Sequence, residues 1–112
     1  MSEIANLVDL DLGEKLNDRE YRRKFFLAES SAHIAGQLVE LRKRRGLNQK
    51  EVAEMVGTQQ PAISRVEQAD YQNWSFNTLR DIAGVLDARI RVLIEPAEDV
   101  LGEYEGAGST PG

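Results

Sequence analysis

The stretch GTQQPAISRVE, residues 57–67, concentrates side chains suited to hydrogen-bond recognition: the hydroxyls of Thr58 and Ser64, the amides of Gln59 and Gln60, and the guanidinium of Arg65. An amide or a guanidinium presents two polar atoms in one plane, the arrangement that matches a base edge. Gln60 can pair with adenine N6 and N7, and Arg65 with guanine O6 and N7. Projected at 100° per residue with Ile63 and Val66 inward, a helix here has an outer face centred on Pro61. Ser64 and Arg65 flank that face, and Gln60 lies at its edge. Covalent chemistry has no comparable set of residues. The chain has no cysteine and one histidine, His33, so a zinc site would have to lean on carboxylates, which is unusual. No nucleophile with its base, paired-carboxylate site or phosphate-cradling glycine loop is evident. We therefore expect no enzyme, no metal and no cofactor.

These side chains need elements to position them. Asp18 suits an N-cap for REYRRKFF. Helical patterning then runs to about Arg45 through Tyr21, Phe25, Ala28, Ala32, Ala35, Leu38, Val39 and Leu41. One long helix, or two broken near Ser30-Ser31 or Gly36, both fit. Gly46 ends this segment by tolerating a left-handed backbone. A second helix is expected over Gln49–Val56, with Val52, Ala53 and Val56 inward, closed by Gly57. A third runs from about Gln59 to Gln68. With Thr58 as its N-cap, Pro61 would occupy the third helical position, where its missing N–H leaves no intrahelical bond unmade. Ser75 caps a fourth helix, about Phe76–Leu86, burying Leu79, Ile82, Ala83 and Leu86. RIRVLIE then alternates, with Ile90, Val92 and Ile94 on one side, and predicts a strand over 88–95 that Pro96 stops. A lone strand needs a partner edge. No second convincing strand exists, so pairing with the same strand of a second copy is the simplest solution.

With 112 residues, the chain fits one domain. The net charge of −5 hides an uneven distribution. Residues 1–17 hold four acids and one lysine, and residues 96–112 hold four acids and no base, while 18–95 carries 13 Lys+Arg against 11 Asp+Glu. The acidic 1–17 segment is expected to be partly ordered, and the Gly/Ser/Pro-rich acidic tail, 97–112, disordered. No apolar run approaches the ~20 residues that span a bilayer, and no basic-then-apolar leader is evident. A soluble cytoplasmic protein is the expectation.

The spacing Gln49, Ala53, Gly57, Ile63, Glu67 adds the most information. A small Ala53 lets the second helix lie close to the third, Gly57 permits the tight turn between them, and Ile63 anchors the third helix. Gln49 begins the second helix, where an amide and a helix N-terminus can together grip a phosphate. In this combination RGLNQKEVAEMVGTQQPAISRVEQ resembles the helix-turn-helix of the Cro/phage-repressor (Xre) family. LRDIAGVLDARIRVLIEP and the upstream REYRRKFF resemble its HigA-like antitoxin members. The resemblance covers residues 18–96. It implies an all-α, lambda-repressor-like fold with a long N-terminal helix and a C-terminal strand paired across a dimer.

The resemblance assigns phosphate contacts to Gln49 and Thr58, with Lys50 as a neighbour. Base reading falls to Gln60, Pro61 and Arg65, with Gln59 and Ser64 beside them. It pairs Arg42 with Glu67 as a structural ion pair, and it places Asn73 and Ser75 in a loop beside the DNA backbone. Trp74 is expected to pack on the domain; for Tyr21, Phe25 and Phe26 core packing is the default, and a dimer or partner-protein surface the alternative. Arg44 and Arg45 suit either backbone contacts or solvated surface. The implied function is a homodimeric repressor or autoregulator reading a palindromic double-stranded operator. A second reading is an antitoxin that neutralises a small toxin, its acidic ends suiting a basic partner. RNA binding or scaffolding by the same fold is a third.

Overall fold

The computed structural model describes residues 12–105. These fall into two compact units, one of residues 27–92 and one made from the described parts of the two terminal segments, up to Phe26 and from Leu93. All regular structure among the described residues is helical. Residues 12–15 are helical, and after them come α1 (Arg19–Arg44), α2 (Gln49–Val56), α3 (Gln60–Val66), α4 (Phe76–Val85) and the short α5 (Ala97–Val100), which continues into a 3-10 turn, Leu101–Tyr104.

Helix α1 is continuous, so neither Ser30-Ser31 nor Gly36 breaks it. Asp18 starts it as expected, its Oδ2 accepting from the Tyr21 N–H at 2.8 Å. Ser31, Ala35 and Leu38 recur at helical spacing and are all buried, which gives the middle of the helix a continuous inner stripe. Ala28 and Ala32, part of the expected pattern, are exposed.

In the 27–92 unit one core joins the helices. Leu38 of α1, Val52 and Ala53 of α2, Ile63 and Val66 of α3, and Ile82 of α4 meet with Leu86. Ala53 retains only 2 % of its exposure, the close approach that its small side chain permits. Asn48 caps α2 in a full capping box. Its Oδ1 accepts from the Glu51 N–H at 2.7 Å, and its own N–H donates to Glu51 Oε1 at 2.9 Å. At the other end Gly57 takes φ 89°, a left-handed conformation that costs a non-glycine residue roughly 1–2 kcal/mol. The Gly57 and Thr58 N–H groups both return to the Ala53 carbonyl. Ser75 caps α4 as expected, accepting from the Thr78 N–H at 3.1 Å.

The C-terminal end of α4 is secured from α1's end. Arg45 donates through Nε to the Leu86 carbonyl at 2.9 Å and through Nη2 to the Asp87 carbonyl at 3.1 Å. Asp87 itself adopts φ 54°. Arg45, exposed as a residue, thus gives two of its donors to carbonyls of its own chain.

Two further expectations are revised. Residues 88–96 carry the alternating pattern but form no strand. Strand geometry persists only where its donors and acceptors meet a partner edge, and the described residues offer none. Val92, Leu93 and Ile94 are 67, 79 and 90 % exposed. The tail expected to lack order from residue 97 instead begins with α5 and the 3-10 turn. In the terminal unit the Tyr104 ring meets Phe25 edge-on at 5.5 Å and lies 6.1 Å from Phe26, a T-shaped arrangement favourable to aromatic pairs. Leu16 is buried there, and its carbonyl accepts from Arg22 Nη1 at 3.1 Å. The expectations for residues 1–11 and 106–112 lie outside the described residues.

Asn48→Ala removes the side-chain half of the capping box without touching the core. It should lower unfolding stability by roughly 0.5–2 kcal/mol, read as a shifted midpoint in urea with an unchanged slope.

Candidate nucleic-acid interface

Helix α3 spans Gln60–Val66. Ile63 and Val66 point inward, at 3 and 6 % exposure, and this orients the rest. Gln60, Pro61 and Arg65 are exposed and Ser64 is half-buried. The outer face expected from helical projection is therefore the face the structure presents.

The start of α3 differs from expectation. Gln59, with extended backbone at φ −103° and ψ 151°, is the N-cap, and it makes no side-chain capping bond. Thr58 lies one residue earlier, half-buried in the turn, with its N–H bonded back to Ala53. The reason is local: continuing the α2 cap through both Gly57 and Thr58 leaves Gln59 as the first residue free to open the next helix. Gln60 is then the first helical residue and Pro61 the second, still within the turn whose N–H groups have no intrahelical acceptor.

Behind this face sits a part-buried ion pair. Arg42 Nε donates to Glu67 Oε2 at 2.6 Å and Nη2 to Glu67 Oε1 at 3.0 Å. The two side chains retain 12 and 7 % exposure. A third donor, Nη1, reaches the Leu47 carbonyl at 2.9 Å. The hydrogen bonds to Glu67 hold the Arg42 guanidinium above its ordinary arginine range, against the opposing effect of burial. The pairing expected of Arg42 and Glu67 is thus present, in a bidentate, charge-assisted form.

The pair continues outward. Gln49 Nε2 donates to the same Glu67 Oε1 at 2.9 Å, and Gln60 Nε2 lies 3.4 Å from Gln49 Oε1. The expected Arg42–Glu67 pair and the separately assigned Gln49 and Gln60 therefore form one chain of hydrogen bonds from α1 to the outer face of α3. Gln49 and Gln60 stand at the first positions of α2 and α3. They lie on different helices, and only the turn between these brings them together. Lys50, Gln59 and Asn73 are exposed and belong to no such network among the described contacts.

The loop after α3 is braced by its aromatics. Tyr71 and Trp74 meet edge to face, 4.9 Å apart at 89°, and both pack against the core. The Tyr71 hydroxyl donates to the Asn73 carbonyl at 3.1 Å, so the backbone at Asn73 is held while its side chain stays at the surface. Elsewhere in the basic run, Arg44 lies 3.8 Å from Glu40, with both side chains largely exposed, a pairing of little energetic weight.

Because the Arg42–Glu67 pair is largely withdrawn from water, removing one partner strands the other. Arg42→Ala or Glu67→Ala should each destabilise the fold by about 3–5 kcal/mol. The apolar double variant Arg42→Met/Glu67→Leu should lie much closer to wild type. Urea unfolding of all four proteins measures the difference.

The helix-turn-helix family model matches residues 38–93, which include α2, α3, α4 and the exposed segment that follows. The chain is 37 % identical over 87 residues to Antitoxin HigA1 from two strains of Mycobacterium tuberculosis, CDC 1551/Oshkosh and ATCC 25618/H37Rv. That match covers 71 % of this chain and 58 % of the relative's length. No solved structure matches significantly. The match across 38–93 falls on the two helices and the tight turn described above, and the chain belongs to the helix-turn-helix family, in its Cro/phage-repressor (Xre) type with HigA-like kinship.

Proposed function

We propose that this chain is a sequence-specific, double-stranded-DNA-binding transcriptional regulator, a repressor or autoregulator, and not an enzyme. The observation that carries this reading is the outward display of Gln60, Pro61 and Arg65 on α3, opposite the buried Ile63 and Val66. In the major groove Arg65 reads guanine and Gln60 reads adenine, with the Pro61 ring suited to a thymine methyl. Gln59 and Ser64 lie beside them. Gln49, Lys50, Thr58 and Asn73 face the phosphates, which set register rather than sequence.

Residues 18–96 form the DNA-binding domain in this proposal, and 88–95 dimerise it. Val92, Leu93 and Ile94 expose apolar side chains next to one another, on backbone that lacks a partner edge. Pairing with the same segment of a second copy covers both, and gives a two-fold homodimer that reads an inverted repeat.

Selection from a random pool of double-stranded DNA should enrich a palindrome, and binding should weaken steeply with salt. Arg65→Ala should relax preference at one base position per half-site and cost ~1–3 kcal/mol. An unchanged site and affinity in both Arg65→Ala and Gln60→Ala would remove the basis for this docking.

Light scattering at micromolar concentration should give the mass of two chains. Val92→Pro, which deletes a ladder donor, should shift that mass toward one chain. A monomeric wild-type protein would sink the strand-paired dimer.

The likeness to Antitoxin HigA1 favours a second, compatible reading. In it the chain neutralises a small toxin protein and represses its own operon. The acidic residues of both terminal segments suit a basic partner. Co-purification of a small basic protein encoded beside this chain would support the reading.

A further inference from the structure

We propose that Arg89 and Glu95 select the partner and the register of the dimer: each Arg89 guanidinium faces the Glu95 carboxylate of a second copy, and the two-fold axis passes through Val92. The inference rests on the proposed homodimer through residues 88–95.

The segment RIRVLIE, residues 89–95, is open to such pairing. None of the described backbone hydrogen bonds involves it. Arg89, Arg91 and Glu95 are exposed, and no described ion pair or hydrogen bond engages their side chains. Both ends of the segment are bounded. The Ala88 N–H already donates to the Ala83 carbonyl at 2.9 Å. Pro96, the N-cap of α5, has no N–H to give a ladder.

In an antiparallel two-fold pair the position of the axis decides every contact, because each contact occurs twice with the partners exchanged. Directly opposed side chains share one face of the ladder. Ile90, Val92 and Ile94 therefore meet one another only if the axis passes through a residue. A midpoint on either side of Val92 sets Ile94 against an arginine. An axis at Arg91 opposes that guanidinium to its own copy, a like-charge pair. An axis at Leu93 sets Arg91 against Glu95 but leaves Ile90 facing Pro96, which shortens the ladder. An axis at Val92 sets Arg89 against Glu95, Ile90 against Ile94 and Val92 against its copy, with Ala88 and Pro96 opposed just beyond the ends. Of these choices, it alone pairs residues 89–95 throughout, apolar on apolar on one face and opposite charges at both ends of the other. Arg91 then faces Leu93, whose side chain can lie along the aliphatic stem of the arginine.

These charges supply what apolar packing lacks. Val92 can face Ile94 as readily as its own copy, so the apolar face alone tolerates a slip. Moving the axis by one residue slides one copy along the other by two residues, roughly 7 Å of strand, and changes the separation of the two α3 helices with it. Arg89 and Glu95 thus tie the half-site spacing to two side chains outside the reading helix. They also make a segment without the matching charges a poor partner.

The test uses the full chain, with light scattering for mass, native mass spectrometry for composition and circular dichroism for fold. Arg89→Glu and Glu95→Arg should each raise the dimer dissociation constant on the order of tenfold, because two opposite-charge contacts become like-charge ones. Mixed in equal amounts, the two variants should pair with each other in preference to themselves, two carboxylates of one chain meeting two guanidiniums of the other. The double variant Arg89→Glu/Glu95→Arg should dimerise with itself again. Undiminished dimers of Arg89→Glu, with mutual rescue of Arg91→Glu and Glu95→Arg, would put the axis at Leu93 and overturn the assignment. Self-pairing of every variant at the wild-type constant would overturn the role of charge and leave the homodimer standing. A monomeric wild-type chain would overturn the homodimer itself, and this inference with it.

Discussion

A guanidinium and a carboxylate withdrawn from water between α1 and the end of α3 are the constraint on which the recognition surface depends. Arg42 and Glu67 lie 25 residues apart in the chain and meet bidentately at 2.6 and 3.0 Å. Such a pair contributes modestly to net stability, because desolvation opposes the Coulomb gain. It is directional where apolar packing is not. Ile63 and Val66 would hold α3 against the core at several small rotations. The fork of Arg42 accepts the Glu67 carboxylate in one geometry, which fixes the azimuth of the helix that carries Gln60 and Arg65.

The same logic governs the basic residues. A net charge of −5 argues against a polyanionic partner only if charge is read as an average. It also misleads in the other direction, since the run Arg42-Lys43-Arg44-Arg45 looks like four phosphate contacts. Arg42 is spent on Glu67 and Leu47, and Arg45 on the carbonyls of Leu86 and Asp87. The Arg45 contacts place a cation at the C-terminal end of α4, where a helix dipole and unpaired carbonyls favour one. Two of the four charges thus build the domain.

What was legible follows from range. Helix boundaries at Asp18, Gly46, Gly57 and Ser75 are local events, set by side chains within a few residues of the bond they make, and these were readable. The inward faces of α2 and α4 follow from periodicity and were readable too. The Arg45 contacts span 41 and 42 residues and left no periodic trace. The Asn48–Glu51 box is short-range, and its Asn-x-x-Glu spacing was a signal available to a closer reading. Residues 88–96 show the opposite failure. Alternation reports which faces a segment can offer, and a ladder depends on a second edge that the segment itself does not encode. The 97–104 helices were masked by a tail rich in glycine and serine, whose composition outweighed the one aromatic, Tyr104, that packs.

Pro61 joins these strands of argument. Thr58 belongs to the closing turn of α2, so the opening of α3 relies on no hydroxyl cap that a proline could deprive of its donor. Gln59 caps with backbone alone, and the second helical position needs no intrahelical N–H. The fixed φ of proline already suits that turn, so the residue stiffens the entry to the helix at little cost. Its exposed ring lies between Gln60 and Arg65 on the outer face of α3 and can form no hydrogen bond with either. Among the described contacts the side chain of Gln60 is hydrogen-bonded to that of Gln49. A hydrogen-bonding residue at position 61 would offer that amide another partner.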